Sequence, residues 1–233
     1  IRTRKVIFMR DKLNQYKHVL LLLYFPFYLA AFRYLENIRP DRLHIISSPL
    51  DQYIPFIPVF ILPYLFWFLY IAGPGLYFLF CEKEVFCRLM YFGMIGMTVF
   101  LVVSWVYPNG LAIRPDSFAD DNVFTQLTRF VYSVDTATNV LPSIHVFNSV
   151  GIYLAVKDSE RLSQKKGIRY ASLIMTTLII LSTMFVKQHS VVDVVAGLTL
   201  SYVSYELVYG GRAVQIWNSM NMVKYRKKEE LKS

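Results

Sequence analysis

Charge and cysteine are both scarce in this chain. Of its 233 residues 18% are charged, 55% are hydrophobic and two are cysteine. Soluble domains carry about 25% charged and about 45–50% apolar residues, so the composition argues against an ordinary water-facing surface. Two thiols cannot build a disulfide framework or a cysteine-rich metal centre. Cys81 and Cys87 instead flank the short turn Glu82-Lys83-Glu84 and read as packing residues. There are four histidines and no clustered carboxylates of the kind that hold Mg²⁺ or Ca²⁺. No metal and no cofactor are therefore expected. Internal repeats, low-complexity tracts and long linkers are missing as well. Lysine and arginine outnumber aspartate and glutamate by 25 to 16. No basic soluble domain exists to carry that excess, which argues against nucleic acid as a partner.

What the chain does have is long apolar runs. A span needs about 20 predominantly apolar residues. Six candidates stand at about 18–32, 54–79, 86–107, 142–156, 170–186 and 191–209. Gly73-Pro74-Gly75 marks a break inside the second. Most of the basic residues fall on the side that holds both termini: Arg2, Arg4, Lys5 and Arg10 at the start, Lys165, Lys166 and Arg169 in a loop, and Arg226, Lys227 and Lys228 in the tail. The positive-inside rule puts that side in the cytoplasm. The expected fold is an all-α integral membrane protein of six transmembrane helices, both termini cytoplasmic, with short interfacial helices in the outer loops. Its parts are a basic cytoplasmic segment 1–17, a membrane domain 18–210 and a basic cytoplasmic tail 211–233 facing anionic lipid. The cell membrane is the expected location.

The outer side carries the chemistry. In Lys187-Gln188-His189-Ser190-Val191-Val192-Asp193 a histidine and an aspartate stand four apart, on one face of a helix. A carboxylate at that spacing can fix the imidazole tautomer. Ionisable groups beside a membrane-embedded run are functional candidates by default; the plainer reading is a hydrogen-bonded pair that fixes packing. Asn139-Val140-Leu141-Pro142-Ser143-Ile144-His145 opens the fourth span, with Pro142 expected at the first helical position. Free N–H groups in that first turn favour an anion. Arg114 follows the third span, after the turn signal Tyr107-Pro108-Asn109-Gly110. Residues 121–133 have the spacing of a short amphipathic helix over the outer mouth. The loop 33–53 has the makings of an interfacial helix. Its His44 and Asp51, like His18 at the inner end of the first span, read more simply as surface, capping or interface residues.

Three separate segments thus bring a guanidinium, a Ser/His helix start and a Lys/His/Asp group to one face. Phosphoryl transfer without metal suits this set. Arg114, Lys187 and the turn at Ser143 supply positive charge and donors for phosphate. His189 oriented by Asp193 supplies the nucleophile, and His145 the proton donor.

The order Arg114-Pro115, Pro142-Ser143-Ile144-His145, then His189 with Asp193-Val194 resembles the type 2 phosphatidic acid phosphatase (PAP2) superfamily of membrane enzymes. The resemblance covers about 107–197 and the six-span layout. It implies a phosphohistidine on His189, with Asp193 orienting it, His145 as general acid, and Arg114 and Ser143 holding phosphate. Tyr107 stands where that family has lysine, Ile144 where it has glycine, and Thr183 where it has arginine. The bulky residue in Pro-Ser-x-His is similar to the inositol phosphorylceramide synthase-like and sphingomyelin synthase-like phosphotransferases. The expected activity is that of a lipid phosphatase at the outer leaflet, with a lipid phosphate or phospholipid as substrate. Transfer to a lipid or polyol hydroxyl is the alternative. An inactive lipid-binding relative and a proton-coupled carrier are the remaining readings.

Overall fold

The computed structural model describes residues 17–38, 43–211 and 215. The basic start, Arg39, Arg42 and nearly all of the basic tail lie outside the described residues, and with them most of the charge that set the expected sidedness. Long apolar stretches with few helix breakers favour helices, because only a helix satisfies its own backbone groups away from water. Seven α-helices are found among the described residues: α1 (Tyr24–Asn37), α2 (Ile61–Cys81), α3 (Lys83–Val106), α4 (Val123–Val134), α5 (Ile144–Asp158), α6 (Lys166–Phe185) and α7 (Val191–Val208).

Five helical rods are long and apolar enough to cross a membrane. They are Lys17–Asn37, in which a 3₁₀ turn runs into α1, Pro58–Cys81, which adds a 3₁₀ turn to α2, and then α3, α6 and α7. Their outward faces carry bare aromatics such as Phe27, Phe80 and Trp105, at 76%, 79% and 71% exposure. So wide an apolar surface marks a membrane protein.

The fourth apolar segment behaves differently. Helix α5 has 15 residues, a length of about 22 Å at 1.5 Å per residue, short of a hydrocarbon core of about 30 Å. It is the hub of the bundle, packed by α2, α3, α6 and α7. Val146, Phe147, Ile152 and Ala155 are buried on its different faces, as expected of a helix apolar all round. Phe147 lies against Gly96 of α3, where even a Cβ would meet its ring at 2.1 Å. Ser143 is the N-cap and Pro142 precedes it, so Pro142 is not the first helical residue as expected.

Two other expectations change. Helix α2 runs unbroken through Pro74, since membrane helices tolerate proline where neighbours cover the freed backbone group. The outer loop forms no interfacial helix at its apolar run: His44–Ile45 is a strand, β1, paired in parallel with β2 at Asn109–Gly110. The ring of His44 stacks on Tyr107 at 4.1 Å. His18 is buried and its Nε2 lies 3.1 Å from the Leu79 carbonyl. Helix α4 forms where the amphipathic spacing put it, capped by Asn122, and packs Val131 against Ile61, Tyr64 and Val186. The end of α3, the starts of α5 and α7 and the end of α6 therefore gather at one end of the bundle, beneath α4.

Candidate active site

The junction between α6 and α7 is built from local signals. After Phe185 the chain turns at Lys187, whose φ of 54° is left-handed. The Thr183 carbonyl accepts both Gln188 N–H at 2.9 Å and His189 N–H at 3.0 Å, closing the end of α6. Helix α7 then opens on a capping box. Ser190 Oγ accepts from Val192 N–H, and Asp193 Oδ2 accepts from Ser190 N–H at 2.9 Å. The same Oδ2 lies 3.4 Å from His189 Nδ1. A carboxylate there requires a proton on Nδ1, which leaves the Nε2 lone pair free.

Nε2 faces the second histidine. His189 Nε2 and His145 Nδ1 are 3.4 Å apart, their rings edge-on with centroids at 5.5 Å. Both are buried, at 7% and 8% exposure. The aromatic rings of Tyr64 and Trp67 in α2 hold His145, at 4.7 and 4.4 Å between centroids. Asn109 fixes the approach to α5: its buried Oδ1 accepts from Val140 and Leu141 N–H at 2.8 and 3.0 Å. Ser143 N–H then donates to the Asp193 carbonyl at 3.1 Å. This close crossing needs Gly197, whose absent Cβ would sit 2.8 Å from the Ser143 carbonyl. Ser143 Oγ accepts from Val146 N–H at 3.4 Å, leaving the first-turn N–H groups of Ile144 and His145 without a partner among the described residues.

Arg114 joins the site through Gln188, the residue before His189. Its guanidinium donates to the Gln188 amide oxygen and to the carbonyls of Asp135 and Tyr132, the latter two at 2.7 and 3.3 Å. It also stacks on the Tyr132 ring at 4.3 Å. Gln188 Nε2 donates to Asp135 Oδ2 at 3.2 Å, and Tyr64 OH donates to the same oxygen at 2.6 Å. Burial lowers Arg114 from its ordinary value, with Tyr132, Asp135 and Tyr64 acting the other way; a guanidinium starts so high that it stays charged. Burial pushes Tyr132 up to about 12, against the pull of Arg114.

Lys187 is placed elsewhere. Its ammonium donates to the carbonyls of Asp51 at 2.9 Å and Ile54. Burial lowers it and Asp51 opposes that shift. The Asp51 side chain clasps the start of α7: its carboxylate accepts from Ser190 Oγ at 2.7 Å, Val191 N–H at 2.9 Å and its own loop's Ser48 N–H at 2.7 Å.

His189, Asp193, His145 and Ser143 thus come together, Arg114 reaches them through Gln188, and Lys187 ties down the outer loop instead. Reading the sequence missed Gln188, Tyr64, Trp67, Asp135 and Asn109, and undervalued Asp51. Only Asp51 left a signal, the Ser-x-x-Asp pattern of Ser48 and Asp51, which forms a capping box. Among the described residues no group of three or more His, Cys, Asp or Glu gathers as metal ligands would. No family model, no curated protein and no solved structure matches this chain, so the likeness to the PAP2 superfamily rests on the motifs around Arg114, Ser143–His145 and His189–Asp193.

Proposed function

We propose that this chain is a six-span membrane enzyme that removes phosphate from a lipid phosphate, without metal, through a phosphohistidine on His189. The observation that carries the reading is the buried line Asp193–His189–His145, with contacts of 3.4 Å on each side of the central ring. A carboxylate on one nitrogen and a second imidazole near the other supply an oriented nucleophile and a candidate acid partner.

The steps follow from these residues. The two rings, now 3.4 Å apart, part as a phosphate enters, held by Arg114 and the first-turn N–H groups of Ile144 and His145. His189 Nε2 forms a bond to phosphorus as the P–O bond to the lipid breaks, and His145 Nδ1–H gives its proton to the departing oxygen. The positive charge that develops on the His189 ring is balanced by Asp193, whose Oδ1 is buried and has no partner among the described residues. Water, deprotonated by His145, then attacks the phosphohistidine and releases inorganic phosphate. Lys187 has no part in this scheme, because its ammonium is held by the loop.

The location follows the same argument. Helix α5 serves as the fourth span despite its length, which puts both termini on one side and the histidines on the other. The basic loop 157–169 lies at the end away from the site, and the positive-inside rule assigns that end to the cytoplasm. The test is incubation of the purified protein with a panel of lipid phosphates, beside His189→Ala. Phosphate released by the wild type and lost in the variant upholds the reading. A new phospholipid in place of free phosphate makes the enzyme a transferase with the same nucleophile. Activity that survives in His189→Ala removes the nucleophile, and no turnover of any lipid removes the enzyme.

A further inference from the structure

Helix α4 is divided into three strips. Thr125, Thr128 and Val131 are buried against the bundle, while Gln126, Arg129 and Ser133 form an exposed polar strip. On the polar strip Arg129 pairs with Asp121 at 2.6 Å. The third strip is apolar and lies between the other two. Val123, Phe130 and Val134 follow at steps of seven and four, which lines them up along one side of a helix, and they are 59%, 61% and 62% exposed. The level of α4 in the bundle points to what covers them. Val131 packs on Ile61 and Tyr64, in the first turns of the rod Pro58–Cys81, and on Val186, just past the end of α6. Helix α4 therefore lies where two membrane rods end. A helix there meets the bundle, the boundary between headgroups and acyl chains, and water, and the three strips match those three surroundings. A second copy of the chain is the poorer match, because a stable partner buries about 800 Å² on each side, more than three side chains offer.

The same helix cradles Arg114. The Tyr132 ring lies under its guanidinium at 4.3 Å, and the carbonyls of Tyr132 and Asp135 accept from it. Few groups tie this cradle to the bundle. The hydroxyls of Thr125 and Thr128 bond back to the Asn122 and Phe124 carbonyls of their own segment. The grip rests on Val131 with Phe124 and Leu127, on the Tyr132 hydroxyl, which donates to the Val186 carbonyl at 2.6 Å, and on Asp135. We infer that Val123, Phe130 and Val134 are a lipid-contact surface, seated in the leaflet at this end of the bundle, and that lipid thereby helps to hold the helix that cradles Arg114. The lipid contact stands apart from the reading of the histidines. Its consequence for phosphate binding rests on the phosphoryl-transfer reading, in which Arg114 holds the phosphate.

The full chain is placed in phosphatidylcholine liposomes with photoreactive benzoylphenylalanine at Phe130 or, as the control on the polar strip, at Gln126. Lipid adducts at Phe130 and none at Gln126 are expected. Adducts at both positions or at neither, or a cross-link from Phe130 to a second copy of the chain, overturn the lipid surface. This measurement needs no turnover, so it decides the surface even where the reading of the histidines fails. The hold on α4 is read by hydrogen exchange in the same liposomes, for wild type, Phe130→Glu, Val123→Glu and Gln126→Glu. All three positions are exposed, so the core is left intact. Giving up part of one apolar side chain's burial is expected to speed exchange of the α4 amides roughly two- to tenfold in the first two variants. Gln126→Glu is expected to match wild type. Wild-type exchange in both Phe130→Glu and Val123→Glu overturns the hold, even where lipid labels Phe130. With a water-soluble aryl phosphate, the faster-exchanging variants are expected to show a raised KM at wild-type kcat. A wild-type KM beside faster exchange overturns the link to phosphate binding.

Discussion

Gly197→Ala is a one-methyl test of how closely α5 and α7 must cross. The new Cβ would stand 2.8 Å from the Ser143 carbonyl oxygen, 3.1 Å from Val146 Cβ and 3.3 Å from Val146 Cγ1, where ordinary contact begins at 3.4 Å. The nearest atom is backbone, so it cannot swing aside; the start of α5 has to move away from α7. Ser143 N–H already donates to the Asp193 carbonyl at 3.1 Å, and a separation of a few tenths of an ångström weakens that bond. Two residues on, His145 moves away from His189, from which 3.4 Å now divides it. Overpacking of this kind costs about 1–3 kcal/mol of stability. Its effect on turnover is larger in proportion, because a misplacement of about 1 Å can cost on the order of 10²-fold. We expect kcat to fall roughly tenfold or more with KM little changed, since Arg114 is held by other elements. Initial rates of phosphate release against lipid concentration separate the two constants. Gly73→Ala is the control: nothing lies within 4 Å of its Cβ position, and no loss is expected. Wild-type kcat in Gly197→Ala would refute the claim that this crossing sets the histidine pair.

Other outcomes follow from the same geometry. Asp51→Ala removes a buried carboxylate with three donors; thermal unfolding is expected to show a loss of about 2–4 kcal/mol, and Asp51→Asn should recover part of it. Asp193→Asn turns an amide toward His189 Nδ1 and favours the wrong tautomer, so kcat is expected to drop by about 10²–10⁴ with the protein still folded. Arg114→Lys loses the planar fork that spans Gln188, Asp135 and Tyr132, and KM for lipid phosphate should rise roughly tenfold in the same rate assay.

How much of this was legible depends on how far apart the partners are. The His189–Asp193 contact lies within one helical turn, so spacing alone revealed it; the Ser190–Asp193 cap is just as local and was overlooked. The membrane helices were legible because apolar length is itself the physical cause of a span. His145 and His189 are 44 residues apart; alternation of the spans was enough to put them at one end, though not to bring the rings to 3.4 Å. Lys187 could not be read correctly. Its type suits a phosphate, but a left-handed turn at that residue and the carbonyls of Asp51 and Ile54 take its charge to the loop. Asp51 meets Ser190 across 139 residues, and nothing local reports such a contact. The strand at His44–Ile45 was hidden for the same reason, since its partner is the turn at Asn109–Gly110.

The central claim is that His189 carries the phosphoryl group. The most direct measurement uses lipid phosphate labelled with radioactive phosphorus, quenches the reaction within the first turnover, and maps the labelled peptide. An acid-labile, base-stable adduct is expected on His189, absent from His189→Ala and longer-lived when His145 is replaced by alanine. An adduct on another residue, or rapid release of phosphate with no covalent label at any time, would contradict it.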